Sequence, residues 1–486
     1  MVKHSLVYGF GNALNRFLGF LMIPVYTRYL VPSEYGILTL LSLTTEFIGI
    51  LLAVKISFAM SRFYFEYDSI EDRNQIVSTA FIFFGSLGLV GVILLSFSTD
   101  FLAEMILDSK RYSSYFLVSF CTLWFNSVNM IFFYYLRILK KSTMFILVSA
   151  FKLILNIIFN IYFLVFLKMG ILGILYGNLV AACSMTTLMV LPTLVKLRFR
   201  FSKTKLIEML RFSLPLLPGT LANFAVLVSD RYILKYFSGL ADTGIYSLSC
   251  RFGVLPHQFL TVPFFQIWGI RRFELLKRSE AEELLGRIIT YFFLFLTFVG
   301  LGISILAKDT LALIADEKYW TAHLYIPALI LAYVIYGLFN HFVMGIMLSK
   351  RTKYLSYIDI SNGAFNIFLN IIFISQYGIW GACFATLISY TLRIASIYFV
   401  SSKLHHIYFE FQRVFKILFC AAILFIICNY LSFGSNVISF VVKFFIWLTF
   451  PFLLYLVMFY SKSEISKAKD VLVNRSLKAA QWYVSK

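Results

Sequence analysis

Apolar runs recur along almost the whole chain, separated by short polar loops. Each run is about 20 residues or more, the length a helix needs to cross the hydrocarbon layer of a bilayer. The runs predict spans near 5–30, 36–60, 76–98, 114–138, 143–167, 171–195, 210–237, 243–268, 284–307, 322–348, 354–376, 379–401, 414–432 and 437–460. The alternating segments of about 10 residues that mark an outer-membrane barrel are absent. The pattern therefore predicts an all-α integral membrane protein with about fourteen transmembrane helices.

Composition agrees. The 486 residues are 60% hydrophobic and 14% charged, against about 45–50% and about 25% in soluble domains. The net charge of +20 raises the question of nucleic acid. The cations sit in loops that flank apolar spans, so the expectation is attraction to anionic lipid and no nucleic-acid partner. The first span is interrupted by Asn12, Asn15 and Arg16 and is followed by no small-residue cleavage site. It is expected to stay in the mature protein.

Charge also orients the spans. Arg137, Lys140 and Lys141, the run from Lys196 to Arg211, the run from Arg271 to Arg287, and Lys350, Arg351 and Lys353 fall on one set of loops. That excess puts both termini in the cytoplasm of a multi-pass plasma (inner) membrane protein. The six cysteines all lie in spans without a CxxC pair and read as small apolar fillers. No HExxH, Walker A or CxxC pattern is present, and no cofactor or metal site is expected. No loop on the less basic side is long enough for an external catalytic domain, so the chain does not read as an enzyme.

The chain repeats itself. Asn156 and Asn160, followed by Gly170 and Gly173, mirror Asn366 and Asn370, followed by Gly378 and Gly381. Arg28 with Gly36 mirrors Arg231 with Gly244, and Lys140-Lys141 mirrors Lys350-Arg351. The offsets are all close to 205–210 residues. Spans 1–6 and 7–12 thus form two parallel six-helix lobes, with spans 13–14 outside the repeat. The expected divisions are 1–200, 201–405, 406–460 and a basic tail at 461–486 with the makings of an amphipathic helix on the membrane surface.

The segment from Thr27 to Leu40, reading TRYLVPSEYGILTL, and the asparagine-bearing spans followed by Gly-x-x-Gly resemble the polysaccharide (O-antigen) flippases. These belong to the multidrug/oligosaccharidyl-lipid/polysaccharide exporter superfamily. The resemblance covers essentially the whole chain, specifies the superfamily well and the substrate poorly. It implies two lobes around a cavity that opens alternately to each side. It also implies an undecaprenyl-pyrophosphate-linked oligosaccharide as cargo, with a polysaccharide polymerase and a chain-length regulator as further partners. The alternatives are a lipid II flippase of peptidoglycan synthesis, a multidrug antiporter with an acidic interior, or, in a different class, a membrane polysaccharide polymerase.

Ionisable residues inside spans carry the chemical argument. Arg16, Lys152, Arg251 and Arg393 sit deep in their spans. Each would cost about 2.5–3.5 kcal/mol facing lipid unpaired. Glu46 and Asp359 are the available acids, with Asp359–Arg393 at matching depth. The cationic excess suits a diphosphate, so Arg16, Lys152, Arg251 and Arg393 are the substrate-binding candidates and Glu46 and Asp359 the ion-coupling candidates. Arg16 has a second reading, as the buried partner of Glu46. Arg16, Glu46, Lys152 and Arg251 also break the repeat, their counterparts being Gly219, Val254, Asn362 and Leu43. Arg28 and Arg231 recur in both halves and read as scaffold. Lys55 and Lys443 are expected to snorkel to the interface, and Asp230-Arg231 to act as an interfacial lock. Pro24, Pro215, Pro218, Pro256 and Pro263 are expected to kink spans 1, 7 and 8.

Overall fold

The computed structural model describes residues 20–53, 55–275, 281–405, 408–431, 436–462 and 464–466. Among them every regular element is helical and none is a strand. Twelve helices are long and apolar enough to cross a membrane, which makes this a multi-pass membrane protein. That number differs from the expected fourteen for two reasons. Span 1 is described only from Phe20 onward. Spans 7 and 8 run as one stretch, Lys203–Gln266, in which Gly239 at φ 88° supplies the turn that an L-side chain would resist.

Two lobes follow the repeat. In the first, span 4 (Ser113–Ile138) packs against span 2 (Pro32–Ala53), span 3 (Ile70–Ser96) and span 6, while span 5 (Ser142–Ile161) packs on span 6. In the second, spans 7–8 (Leu217–Gly253), span 10 (Ala322–Tyr336) and the long stretch of spans 11–12 (Lys353–Leu404) pack on one another. Local chemistry starts and stops these helices. The Ser69 hydroxyl caps span 3 by accepting the Glu71 N–H at 3.2 Å, and Glu71 and Asp72 sit in the favourable first turn.

The prolines fall where helices are interrupted. Pro24 lies in the first turn of Ile23–Tyr29, Pro215 in the 3-10 turn Leu214–Leu216, and Pro218 at the restart of span 7. Pro256 immediately precedes a π-helical turn, His257–Thr261. Lys55, expected near the end of span 2, sits at a break in the helix. It adopts a left-handed conformation (φ 48°) where span 2 breaks and Ile56–Phe63 begins.

The lobes meet along span 2 and spans 7–8, at the face opposite the basic turns. There Gly36 abuts the Leu240 carbonyl and Gly244 abuts the Pro32 carbonyl, so closely that a Cβ on either would overlap backbone. Around this contact the Tyr319 hydroxyl donates to the Leu30 carbonyl at 3.1 Å. Tyr35 and Tyr319 meet edge to face, Thr44 bonds Tyr232 at 2.9 Å, and Lys235 pairs with Asp108 at 2.6 Å. Gly36→Ala or Gly244→Ala is expected to destabilise the protein by about 1–3 kcal/mol through overpacking. Gly219→Ala, where nothing lies within 4 Å, is the neutral control. Thermal midpoints in detergent check the comparison.

Spans 13 (Phe411–Tyr430) and 14 (Asn436–Leu448, continued by Phe450–Leu456) pack on span 9 (Ala281–Ile314). Lys443 does not snorkel. It is buried, with Nζ 3.0 Å from the equally buried carboxylate of Asp309 on span 9. One turn further along span 14, the Trp447 indole N–H donates to the Phe298 carbonyl at 2.8 Å. Near the basic face, both terminal guanidinium nitrogens of Arg413 reach Glu464 at 3.1 Å. Burial works against that carboxylate, but the Ser461 backbone N–H and Arg413 prevail and hold its pKa at about 2. The expected amphipathic tail helix lies, from residue 467 onward, outside the described residues.

Candidate functional site

The intramembrane charges have distinct surroundings. Arg16 lies outside the described residues. Arg251, on span 8, places its guanidinium 5.1 Å from the ring centroid of the fully buried Tyr35 on span 2. It thus bridges the lobes at their seam. A cation over a desolvated aromatic face is worth about 2 kcal/mol or more, and this geometry belongs to the contact between lobes.

Arg393 meets Asp359 as depth matching predicts. Its Nη2 is 2.8 Å and its Nε 3.0 Å from the same carboxylate oxygen, and Nη1 donates to the Tyr336 hydroxyl at 3.4 Å. Each residue offered as a separate site candidate is therefore engaged by the other. Asp230 and Arg231 form a second pair at 2.8 Å. They are not simply an interfacial lock. The Tyr246 hydroxyl donates to Asp230 at 2.6 Å, which ties span 7 to span 8 inside the second lobe.

Lys152 stands apart. Its Nζ donates to Asn126 Oδ1 at 2.9 Å. No acid among the described residues lies within ion-pair distance of it. A lysine ammonium has three donors, and one of them is used by the described residues. The surroundings are polar but neutral. Asn156 donates to the Lys152 carbonyl at 3.0 Å, and Asn160 donates to Asn178 Oδ1 at 3.2 Å. Further along the lobe, Asn129 donates to the Ala182 carbonyl at 3.1 Å and accepts from the Thr186 hydroxyl at 3.0 Å. These amides fix span 4 against spans 5 and 6 without supplying negative charge. The repeat-related position, Asn362, simply accepts a hydrogen bond from Ser389 at 3.2 Å.

Glu46 is exposed on span 2 and makes no hydrogen bond or ion pair with any described residue. No cluster of three or more His, Cys, Asp or Glu residues that could hold a metal occurs among the described residues. The four cationic candidates therefore separate into one undescribed residue, one seam residue, one ion-paired residue and one ammonium with spare donors.

Three partners carry weak signals, or none, in the sequence. Asn126 and Asn129, spaced i, i+3 in an otherwise apolar span, signalled a polar face on span 4. Asp309 lay just beyond the expected end of span 9. Tyr35 carried no signal as the neighbour of Arg251, because the contact joins residues far apart in the chain.

A family model described as "Polysaccharide biosynthesis protein" matches residues 1–267. The succinoglycan biosynthesis transport protein ExoT of Rhizobium meliloti (strain 1021) is 29% identical over 97 residues, 19% of this chain and 20% of that protein. The match thus spans about a fifth of the relative's length. Among solved structures, the lipid II flippase MurJ in an inward closed conformation superposes with a TM-score of 0.74 at 16% identity, covering 95% of this chain and 100% of the other. An inward-facing multidrug resistance transporter of the MATE family gives 0.64 at 15% identity, covering 85% and 99%. At these identities the likeness establishes the fold.

Proposed function

The chain belongs to the polysaccharide biosynthesis protein family, and from that premise we propose that it flips an undecaprenyl-pyrophosphate-linked oligosaccharide across the inner membrane. The direction is from cytoplasmic to outer leaflet by alternating access, with the basic face and both termini in the cytoplasm. The observation that carries the reading is Lys152, a cation inside the membrane whose hydrogen-bond partner among the described residues is a neutral amide. A pyrophosphate oxygen supplies the missing acceptor, and a charge-assisted bond in a low-dielectric chamber is stronger than a neutral one.

Exposed Glu46 is the proposed coupling acid, since no cation among the described residues pairs with its carboxylate. The lobes would close and open about the Gly36–Gly244 seam, with the interruptions at Pro215, Pro218 and Pro256 absorbing the bend. An antiporter of cationic drugs needs uncompensated acids in its cavity. Here Asp359, Asp230 and Asp309 are each matched by a cation, which leaves Glu46 as a lone carboxylate on its span rather than part of an acidic cluster.

The second reading, a lipid II flippase, is favoured by the MurJ likeness. Depletion in the source organism separates the two. Loss of surface polysaccharide in living cells, with lipid-linked repeat units accumulating, is the expected result. Lysis with accumulation of peptidoglycan precursor would transfer the assignment to lipid II.

A further inference from the structure

The turn joining spans 10 and 11 carries Lys350, Arg351 and Lys353, all exposed and none ion-paired with a described residue. The nearest acid in sequence, Asp359, is taken by Arg393 at 2.8 Å. These three cations, with Thr352 and Tyr354, line a hollow of about 500 Å³.

The backbone under the hollow is well defined. The Lys350 N–H donates to the Met347 carbonyl at 3.1 Å and the Arg351 N–H to the Ile346 carbonyl at 3.2 Å. Lys350 adopts φ 54°. This is a Schellman helix end with lysine at the left-handed position where glycine is usual. The same bonds and the same left-handed lysine recur at Lys140 (φ 55°), the repeat-related turn.

A second observation identifies the class of ligand. Below the hollow, Tyr357, Ile360, Ala364, Phe368 and Ile371 are exposed along span 11. Their spacing of three and four residues puts them on one helix face, and Lys353 lies one turn before Tyr357 on that same face. That face thus begins at Lys353, next to the cationic turn, and continues as an apolar ridge. A soluble anion would use only its head. A lipid uses all of it.

We propose that this face binds an anionic phospholipid of the leaflet on the basic side, with its phosphate in the Lys350–Tyr354 hollow and an acyl chain along Tyr357–Ile371. The site is distinct from Lys152 and does not depend on the identity of the cargo.

The test uses the full chain in neutral detergent, with dioleoylphosphatidylglycerol as the probe and retention read by native mass spectrometry. Dioleoylphosphatidylcholine, glycerol 1-phosphate and undecaprenyl pyrophosphate are the comparison ligands. The triple variant Lys350→Gly, Arg351→Gln, Lys353→Gln removes the charge while glycine keeps the left-handed turn. Each juxtamembrane cation contributes about fivefold, so the variant is expected to bind phosphatidylglycerol about a hundredfold more weakly. Its thermal midpoint in phosphatidylcholine is expected to be unchanged. Should the triple variant not fold, Arg351→Gln alone is expected to weaken binding about fivefold.

Undiminished phosphatidylglycerol retention by the triple variant, or by the single variant used in its place, overturns the proposal. So does displacement by glycerol 1-phosphate at equal concentration, which would reveal a soluble-phosphate site. Displacement by stoichiometric undecaprenyl pyrophosphate overturns it too, by assigning the hollow to the transported lipid.

Discussion

Lys152→Ala is expected to abolish surface polysaccharide while leaving the amount of protein in the membrane unchanged or slightly higher. Both halves follow from the same side chain. A mid-membrane lysine costs about 2.5–3.5 kcal/mol on insertion scales, so removing it eases insertion. The Asn126 contact it loses is a single bond to a neutral amide. A charge-assisted hydrogen bond to a cargo phosphate is worth about 1.5–3 kcal/mol, a factor of about 10–100 in binding. Lys152→Arg keeps the charge and is expected to retain partial export. Lys152→Gln keeps the hydrogen bond without the charge and is expected to fail like alanine. Quantified surface polymer set against membrane protein level decides the matter. Export by the glutamine variant at the parental rate would show that the charge has no part in transport.

The largest expected effect on stability lies far from that site. Asp309→Ala leaves Lys443 buried without its carboxylate, and breaking such a pair costs about 3–5 kcal/mol. The pair joins span 14 to span 9, beside the Trp447 bond to the Phe298 carbonyl and the stack of those two rings at 4.3 Å. Spans 13–14 are therefore expected to loosen from the second lobe in Asp309→Ala. The readouts are a lower thermal midpoint and faster protease cleavage in the segment before Phe411. The double replacement Asp309→Leu with Lys443→Met removes both charges and is expected to recover most of the loss. Equal midpoints for Asp309→Ala and the parent would mean that the pair contributes no net stability.

The comparison of sequence with structure divides along physical lines. Apolar runs announce helices because each spanning segment must satisfy its own backbone in lipid. The repeat is readable because each copy carries its own glycines and polar turns. Depth along a span is also readable, which is why Asp359 and Arg393 could be matched across two helices. Azimuth, the direction a side chain faces around its helix, is much harder to read. Lys443 reads as a snorkelling residue because its partner, Asp309, falls just past the expected end of span 9. The helix in fact continues to Ile314 past Lys308 and Asp309. The aromatic neighbour of Arg251, Tyr35, comes from the other half of the chain, so no local spacing points to it. Lys55 looked like the end of a straight span, whereas the backbone breaks there.

The central claim is that this protein carries an anionic, lipid-linked sugar across the bilayer by way of the Lys152 ammonium. Sealed vesicles containing the purified chain and a fluorescent undecaprenyl-pyrophosphate oligosaccharide test it most directly, with transbilayer movement read by quenching from outside. The account predicts rapid equilibration with the parent, movement at the protein-free rate with Lys152→Gln, and partial movement with Lys152→Arg. Equal rates for the parent and Lys152→Gln, or no movement with any of the three proteins, would contradict it.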